Sequence, residues 1–106
     1  TPNIVNIIND VNNYKKYKGL IVAESKSHLV SLIDIGIKLF GADCNLNWID
    51  ISKITSLSFI FKNYYDYYIK TERHRFNGDI SLWDTSNVTD MQEMFCNNTR
   101  FNGNIS

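Results

Sequence analysis

No apolar run in this sequence approaches the roughly 20 residues that a membrane-spanning helix requires. Leu20-Ile21-Val22-Ala23 is typical of the longest that occur. A surplus of charge is missing too. Eleven basic side chains balance eleven acidic ones, so no global field draws the chain to phosphate backbones or anionic lipid. Nucleic acid is therefore not an expected partner, and membrane insertion is not expected. Cysteine is scarce: Cys44 and Cys96 can make at most one bridge. Neither sits in a C-x-x-C pair or near a His at ligand spacing, which leaves no basis for a metal centre or a disulfide framework. The chain starts at Thr1 without a basic-then-apolar leader, so its compartment cannot be read directly. Its 106 residues suffice for one small domain with a modest core.

What the sequence does have is internal repetition. Phe76-Asn77-Gly78-Asp79-Ile80-Ser81 returns as Phe101-Asn102-Gly103-Asn104-Ile105-Ser106, a period of 25. A second match aligns Ile49-Asp50-Ile51-Ser52-Lys53-Ile54-Thr55 with Trp83-Asp84-Thr85-Ser86-Asn87-Val88-Thr89 and runs on to Phe61 and Phe95, at an offset of 34. The excess of 9 falls between Phe61 and Phe76, where a Tyr-rich insertion interrupts the pattern. A period of this size marks a solenoid, in which each repeat stacks on its neighbour. Apolar positions Ile80, Trp83, Val88, Met91, Met94, Phe95 and Phe101 face the shared core in this reading. Asp84, Thr85, Ser86 and Asn87 bond their own backbone to turn the chain, and Asp50, Ser52 and Lys53 keep most of that chemistry. Thr89 followed by Gln92 reads as a capping box before a short helix over Met91 to Phe95. Gly78 and Gly103 are expected to supply positive-φ returns.

Trp83-Asp84-Thr85-Ser86-Asn87-Val88-Thr89-Asp90-Met91, Met94-Phe95 and Phe101-Asn102-Gly103-Asn104-Ile105-Ser106 closely resemble the repeats of BspA-like leucine-rich-repeat bacterial surface proteins and surface lipoproteins. Leu46-Asn47-Trp48-Ile49-Asp50-Ile51-Ser52-Lys53-Ile54-Thr55 resembles the family's first repeat, which follows a helical leader ending in Gly, as Phe40-Gly41 does here. The resemblance covers about Val22 to Ser106. Three departures stand out: the insertion, Leu57 where the family pattern has Met, and the halt at Ser106 partway through a repeat, as expected of an excised or truncated piece. The resemblance implies an extracellular or cell-surface location and a non-catalytic role in adhesion or protein binding. The alternative is a structural spacer in a longer array, with no ligand of its own.

The expected fold is thus α/β, a short leucine-rich-repeat-like solenoid with an N-terminal helix-strand-helix cap. Residues 1–45 form the cap and 46–106 the repeat region. The latter divides into a partial repeat over 46–61, the insertion over 62–75, a repeat over 76–100 and the start of another over 101–106. In the cap, Ile4, Ile7, Ile8, Val11 and Tyr14 fall at helical spacing behind Pro2, predicting a helix from about Asn3 to Tyr17 that Gly19 ends. Leu20 to Ala23 reads as a buried strand. Ser25 or Ser27 then caps a second helix with Leu29, Ile33, Ile37 and Phe40 on one face and Gly41 at its end.

Enzyme chemistry needs a nucleophile with a base, paired carboxylates or a metal cluster. Asp50, Asp79 and Asp84 occupy turn positions that explain them structurally. Stacking Asp50 over Asp84 offers oxygens to a cation, but repeat folds that bind calcium carry denser carboxylates, so no metal is expected. His28 and His74 lack partners at ligand spacing. Neither a catalytic set nor a cofactor is expected. Asn87-Val88-Thr89, Asn97-Asn98-Thr99 and Asn104-Ile105-Ser106 match glycosylation sequons, which an Asn-rich chain produces by chance. The candidate partner-binding residues are Tyr64, Tyr65, Tyr67, Tyr68, Arg73, His74 and Arg75, since Tyr and Arg dominate interface hot spots. The competing reading packs Phe61, Tyr64, Tyr65 and Tyr68, at helical spacing, onto the repeats. A protein is the expected partner, with self-association through the C-terminal repeat edge as a second contact.

The alignment makes Ile49 and Trp83 equivalent core positions. Trp83→Ala should therefore cost on the order of 3 to 5 kcal/mol in urea denaturation, as large core truncations do. A cost below about 1 kcal/mol, the scale of a surface change, would break the alignment.

Overall fold

Ser25 stands where a helix must start and Gly41 where it must stop, and among the described residues the chain between them is the one long regular element. The computed structural model describes residues 18–62, 72–96 and 98. The helix expected over residues 3 to 17 lies outside the described residues, as does the segment from 101 to 106. Helix α1 spans Lys26–Phe40. Ser25 is extended, and its Oγ accepts from the His28 N–H at 3.1 Å. The cap thus satisfies one of the end's orphan donors, and His28 in turn accepts on its Nδ1 from the N–H of Glu24, just before the cap, at 3.0 Å. At the other end Gly41 takes φ 89°, and its N–H closes on the Ile37 carbonyl. The helix buries Leu29, Leu32, Ile33, Gly36 and Ile37, with Phe40 half-buried.

Strand β1, Ile21–Val22, follows a turn in which Gly19 takes φ 63°. It pairs in parallel with β2, Ile49–Asp50, in the register Ile21 to Ile49 and Val22 to Asp50. Gly19 N–H to Asn47 O and Ala23 N–H to Asp50 O extend the pairing beyond the strands. Among the described residues, the remaining regular element is a 3-10 turn at Arg73–Arg75.

Beyond β2 the chain is organised by turns. Three hydrogen bonds close residues 46 to 49, 51 to 54 and 57 to 60, each from an N–H to the carbonyl three residues earlier. The same three recur at 80 to 83, 85 to 88 and 91 to 94. Each turn is introduced by a side-chain oxygen that accepts from the backbone N–H two residues on. Asn45, Asp50 and Ser56 do so in the first course, and Asp79, Asp84 and Asp90 in the second. The turn residues named from the sequence thus bond their own backbone, at the offset of 34 that the alignment gave. The last turn of each course also holds a left-handed residue at the same place, Phe59 at φ 63° and Glu93 at φ 51°.

The two courses run parallel and bond to each other. N–H groups of Leu46, Leu57, Phe59 and Phe61 donate to the carbonyls of Asp79, Asp90, Gln92 and Met94 at 2.8 to 3.1 Å. Asn77, Asp79 and Thr89 donate back to Ala42, Cys44 and Thr55. Phe61 lies nearly parallel to its equivalent Phe95, ring centres 5.2 Å apart, and to Phe76 at 4.7 Å. Inside, Leu46, Trp48, Ile49, Ile51, Ile54, Leu57, Ile60 and Phe61 of the first course meet Phe76, Ile80, Trp83 and Met94 of the second. Ile49 and Trp83 are both buried, and the Trp83 indole N–H reaches the Leu46 carbonyl at 2.9 Å.

Three local expectations are corrected. Residues 91 to 96 form overlapping turns rather than a helix, because Glu93 is left-handed and breaks the helical path. Thr89 does not cap a helix; its hydroxyl donates to the Thr55 carbonyl of the other course. Gly78 is needed for close approach rather than positive φ, since a Cβ there would lie 1.8 Å from the Cys44 carbonyl oxygen. Gly103 lies outside the described residues.

The two tight glycines should therefore respond differently. Gly78→Ala pushes a methyl into fixed backbone and should cost about 3 kcal/mol or more. Gly36→Ala meets side chains rather than backbone, the flexible Leu46 Cδ2 at 2.9 Å and the Trp48 Cζ2 at 3.3 Å, and gains about 1 kcal/mol of helix propensity, so urea denaturation should find a smaller loss than at Gly78. Equal losses at both would mean that the Gly78 contact is not what holds the courses together.

Candidate functional site

One cleft on the surface combines charge, hydrogen-bonding groups and an apolar rim. Its volume is about 260 Å³, and its walls include Lys18, Asn47, Asp50, Ser52, Leu82 and Asp84. Three levels of chain meet there: the turn before β1, the first course around β2, and the second course one repeat on. Asn47 is 4% exposed; its Oδ1 accepts from the Leu82 N–H at 2.9 Å, which ties the courses together. Its Nδ2 is buried without a hydrogen-bond partner. Asp50 and Asp84 sit one repeat apart, each spending part of its acceptor capacity on a turn N–H. Hydrogen bonds from Ser86 hold the Asp84 carboxyl below the ordinary carboxylate range, helped slightly by the Lys18 ammonium. Leu82 is 44% exposed although Trp48, its repeat equivalent, is buried.

The expected Tyr and Arg cluster is only partly described. Tyr64, Tyr65, Tyr67 and Tyr68 lie outside the described residues. Arg73 is held: its guanidinium donates to Asp34 Oδ2 at 2.6 Å and to the Ile60 carbonyl at 3.1 Å, and only 17% of its side chain is exposed. It clamps the end of the insertion to α1. Arg75 is exposed and reaches Glu72 at 3.5 Å, while His74 is half-buried. The structure thus gives the three basic residues different surroundings, with Arg75 the most accessible.

A second polar surface lies where α1 meets the turns. Lys26 donates to Ser58 Oγ at 2.7 Å, Ser56 and Ser58 share a bond of 3.0 Å, and Lys62 pairs with Glu93 at 3.2 Å. Both ammonium groups lie near the Phe59 ring, at 5.9 and 5.1 Å from its centre. These bonds tie the helix and the courses together. Cys44 and Cys96 are both free thiols. Burial pushes the Cys44 thiol up to about 11, and a hydrogen bond to Glu93 raises Cys96, so neither is an activated nucleophile. Among the described residues, no group of three or more His, Cys, Asp or Glu could hold a metal ion. No described helix is long and apolar enough to cross a membrane.

A family described as "Mycoplasma protein of unknown function, DUF285" matches residues 40–106. The chain belongs to that bacterial family. Its matched region begins at the end of α1 and takes in both courses of turns. No curated protein matches the chain, and no solved structure does.

In the sequence Asp50 and Asp84 stand as turn residues and as a candidate cation ladder, and nothing there groups them into a cleft. The signal that marks it is a departure from the repeat. At an offset of 34, Asn47 stands where the next course has Ser81, and Trp48 where it has Leu82.

The Arg73 clamp gives a quantitative check. In a double-mutant cycle of Arg73→Met and Asp34→Asn, read by urea denaturation, a coupling energy of about 1 kcal/mol is expected for a half-exposed pair. Additive losses would leave the Ile60 carbonyl as the bond that holds Arg73.

Proposed function

We propose that this chain is the capped start of a leucine-rich-repeat-like solenoid of the BspA-like kind. It works non-catalytically at the bacterial cell surface by binding another protein. The observation that carries the reading is the recurrence of three turns and their introducing side chains at one fixed offset, in two courses that bond to each other. An architecture of that kind spends its short polar side chains on turns and builds an extended surface, which suits recognition of a macromolecule rather than chemistry on a small one. The insertion between Phe61 and Phe76 brings Tyr and Arg into the sequence, and the two flanking rings remain stacked 4.7 Å apart. Arg75 is its accessible described cation.

The second course also supports association. Its Ile80, Met91 and Glu93 are equivalents of Leu46, Leu57 and Phe59, whose N–H groups bond the next course. Among the described residues, no further course meets them. Met91, 42% exposed, lies along the same edge. A further repeat or a second copy, paired along this edge, satisfies those donors.

The decisive experiment presents the purified chain to immobilised fibronectin, laminin and collagen, alongside a variant with Tyr64, Tyr65, Tyr67 and Tyr68 changed to Ser and Arg75 to Ala. Saturable binding to one of them, weakened at least about tenfold in the variant, is expected if the insertion holds hot-spot residues. Absence of binding to all three, or equal binding by the variant, favours a spacer within a longer array.

A further inference from the structure

The outward face of α1 is apolar where a surface helix is ordinarily polar. Ser27, Ser31, Ile35 and Leu39 fall four residues apart along one line of the helix, so they share a face. The first half of that line is serine, whereas in the second half Ile35 and Leu39 are each 48% exposed. The inward face is already spent on the core through Leu29, Ile33 and Ile37. Two large aliphatic side chains one turn apart on a solvent-facing line call for a cover. The fold shows which part of the chain starts beside them. The Gly19 N–H bonds the Asn47 carbonyl and the Ile21 N–H the Trp48 carbonyl, while Gly36 lies against Leu46 and Trp48. Lys18 therefore enters beside the half of α1 that carries Ile35 and Leu39. Seventeen residues precede it, outside the described part, and among them Ile4, Ile7, Ile8, Val11 and Tyr14 fall at helical spacing. Lys15 to Lys18, extended, span about 13 Å, a little more than the diameter of a helix, which is enough to carry the preceding residues from the level of β1 around α1. A segment tethered this close acts at an effective concentration of about a millimolar or more, an advantage that no separate molecule has.

We propose that the outward face of α1 is the docking site of the chain's own segment before Lys18. Residues 3–17 lie on it as an amphipathic helix, with Val11 and Tyr14, the apolar positions nearest the tether, over Ile35 and Leu39. The contact seals the capped end of the stack and withdraws this face from any partner. It goes beyond the protein-binding reading and does not rest on it, since its residues belong neither to the insertion nor to the open edge of the second course.

The test is a double-mutant cycle in the full chain, read by urea denaturation. Val11→Ser with Tyr14→Ser forms one pair, and Ile35→Ser with Leu39→Ser the other. Serine already stands at Ser27 and Ser31 on the same line of α1, so the second pair leaves the helix able to form. Each pair is expected to lower the folding equilibrium constant about tenfold, because each removes the same apolar contact. All four changes together are expected to lower it little more than one pair does, where independent sites would multiply to about a hundredfold. Multiplied losses, or no loss from the Val11 and Tyr14 pair, overturn the proposal. A denaturation midpoint that rises with protein concentration also overturns it, by giving the face to a second copy. Independently of stability, nuclear Overhauser contacts in the unmodified chain are expected between the Tyr14 ring and the methyl groups of Ile35 or Leu39. Contacts from those methyls to the rings of Tyr64, Tyr65, Tyr67 or Tyr68 instead would give the face to the insertion and overturn the proposal.

Discussion

Everything in the repeat region depends on a single row of backbone hydrogen bonds, in which the N–H groups of Leu46, Leu57, Phe59 and Phe61 meet the carbonyls of the next course. Such bonds are satisfied only if both courses turn at the same residues. One course turning a residue early would carry every later N–H past its carbonyl and leave it buried and unpaired. The demand for equal turns explains why the introducing side chains recur so strictly. Asn45 and Asp79, Asp50 and Asp84, and Ser56 and Asp90 differ in chemistry but all supply an oxygen to the N–H two residues on. It also explains why a phenylalanine and a glutamate both accept a left-handed backbone at the third turn. The strain at Phe59 and Glu93 is a cost of the shared path, offset by the bonds on either side.

The same constraint decides where the sequence was legible. The offset of 34 appeared in the sequence as repeated apolar and Asx positions, and it returns as the register of the ladder because a hydrogen-bonded stack copies sequence spacing directly into space. The second helix was legible for a similar reason: Ser25 and Gly41 act through local backbone geometry that a short window of residues contains. Gly78 and Glu93 were not. The approach of Gly78 to the Cys44 carbonyl is a contact between residues 34 apart, and no local rule for glycine anticipates it. Apolar residues from Met91 to Phe95 at near-helical spacing read as a helix, yet the ladder bonds of the preceding course, from Phe59 and Phe61 to the carbonyls of Gln92 and Met94, hold that backbone in a different path.

The insertion shows how far the arrangement tolerates change. Nine additional residues between Phe61 and Phe76 leave the register intact, because both flanking rings are fixed in the same stack and the chain returns close to where it left. Closing a longer loop between two fixed points costs little more than closing a short one. The return is secured by Arg73, whose bonds to Asp34 and to the Ile60 carbonyl join the insertion to the helix and to the end of the first course. Among the partner-binding candidates of the sequence, it differs from Arg75 in being tied to groups of the helix and the first course. The difference was not visible locally, because Asp34 lies on α1, 39 residues away.

A repeat of this kind also narrows the search for function. Side chains that recur at the offset of 34 are committed: the Asx and Ser oxygens to turns, the Ile, Leu and Phe positions to the core, Phe61 and Phe95 to each other. Replacing any of them disturbs a bond that the next course needs, which leaves selection little freedom to adapt them to a ligand. Chemistry that is particular to this chain must therefore sit where the repeat is broken. Lys18 precedes the repeat, Asn47 stands opposite Ser81, and Leu82 is exposed where Trp48 is buried; all three line the same cleft. Asp50 and Asp84 join them there only with the acceptor capacity their turns leave unspent. The coincidence of unrepeated residues at one place on a repeated surface is what sets that cleft apart.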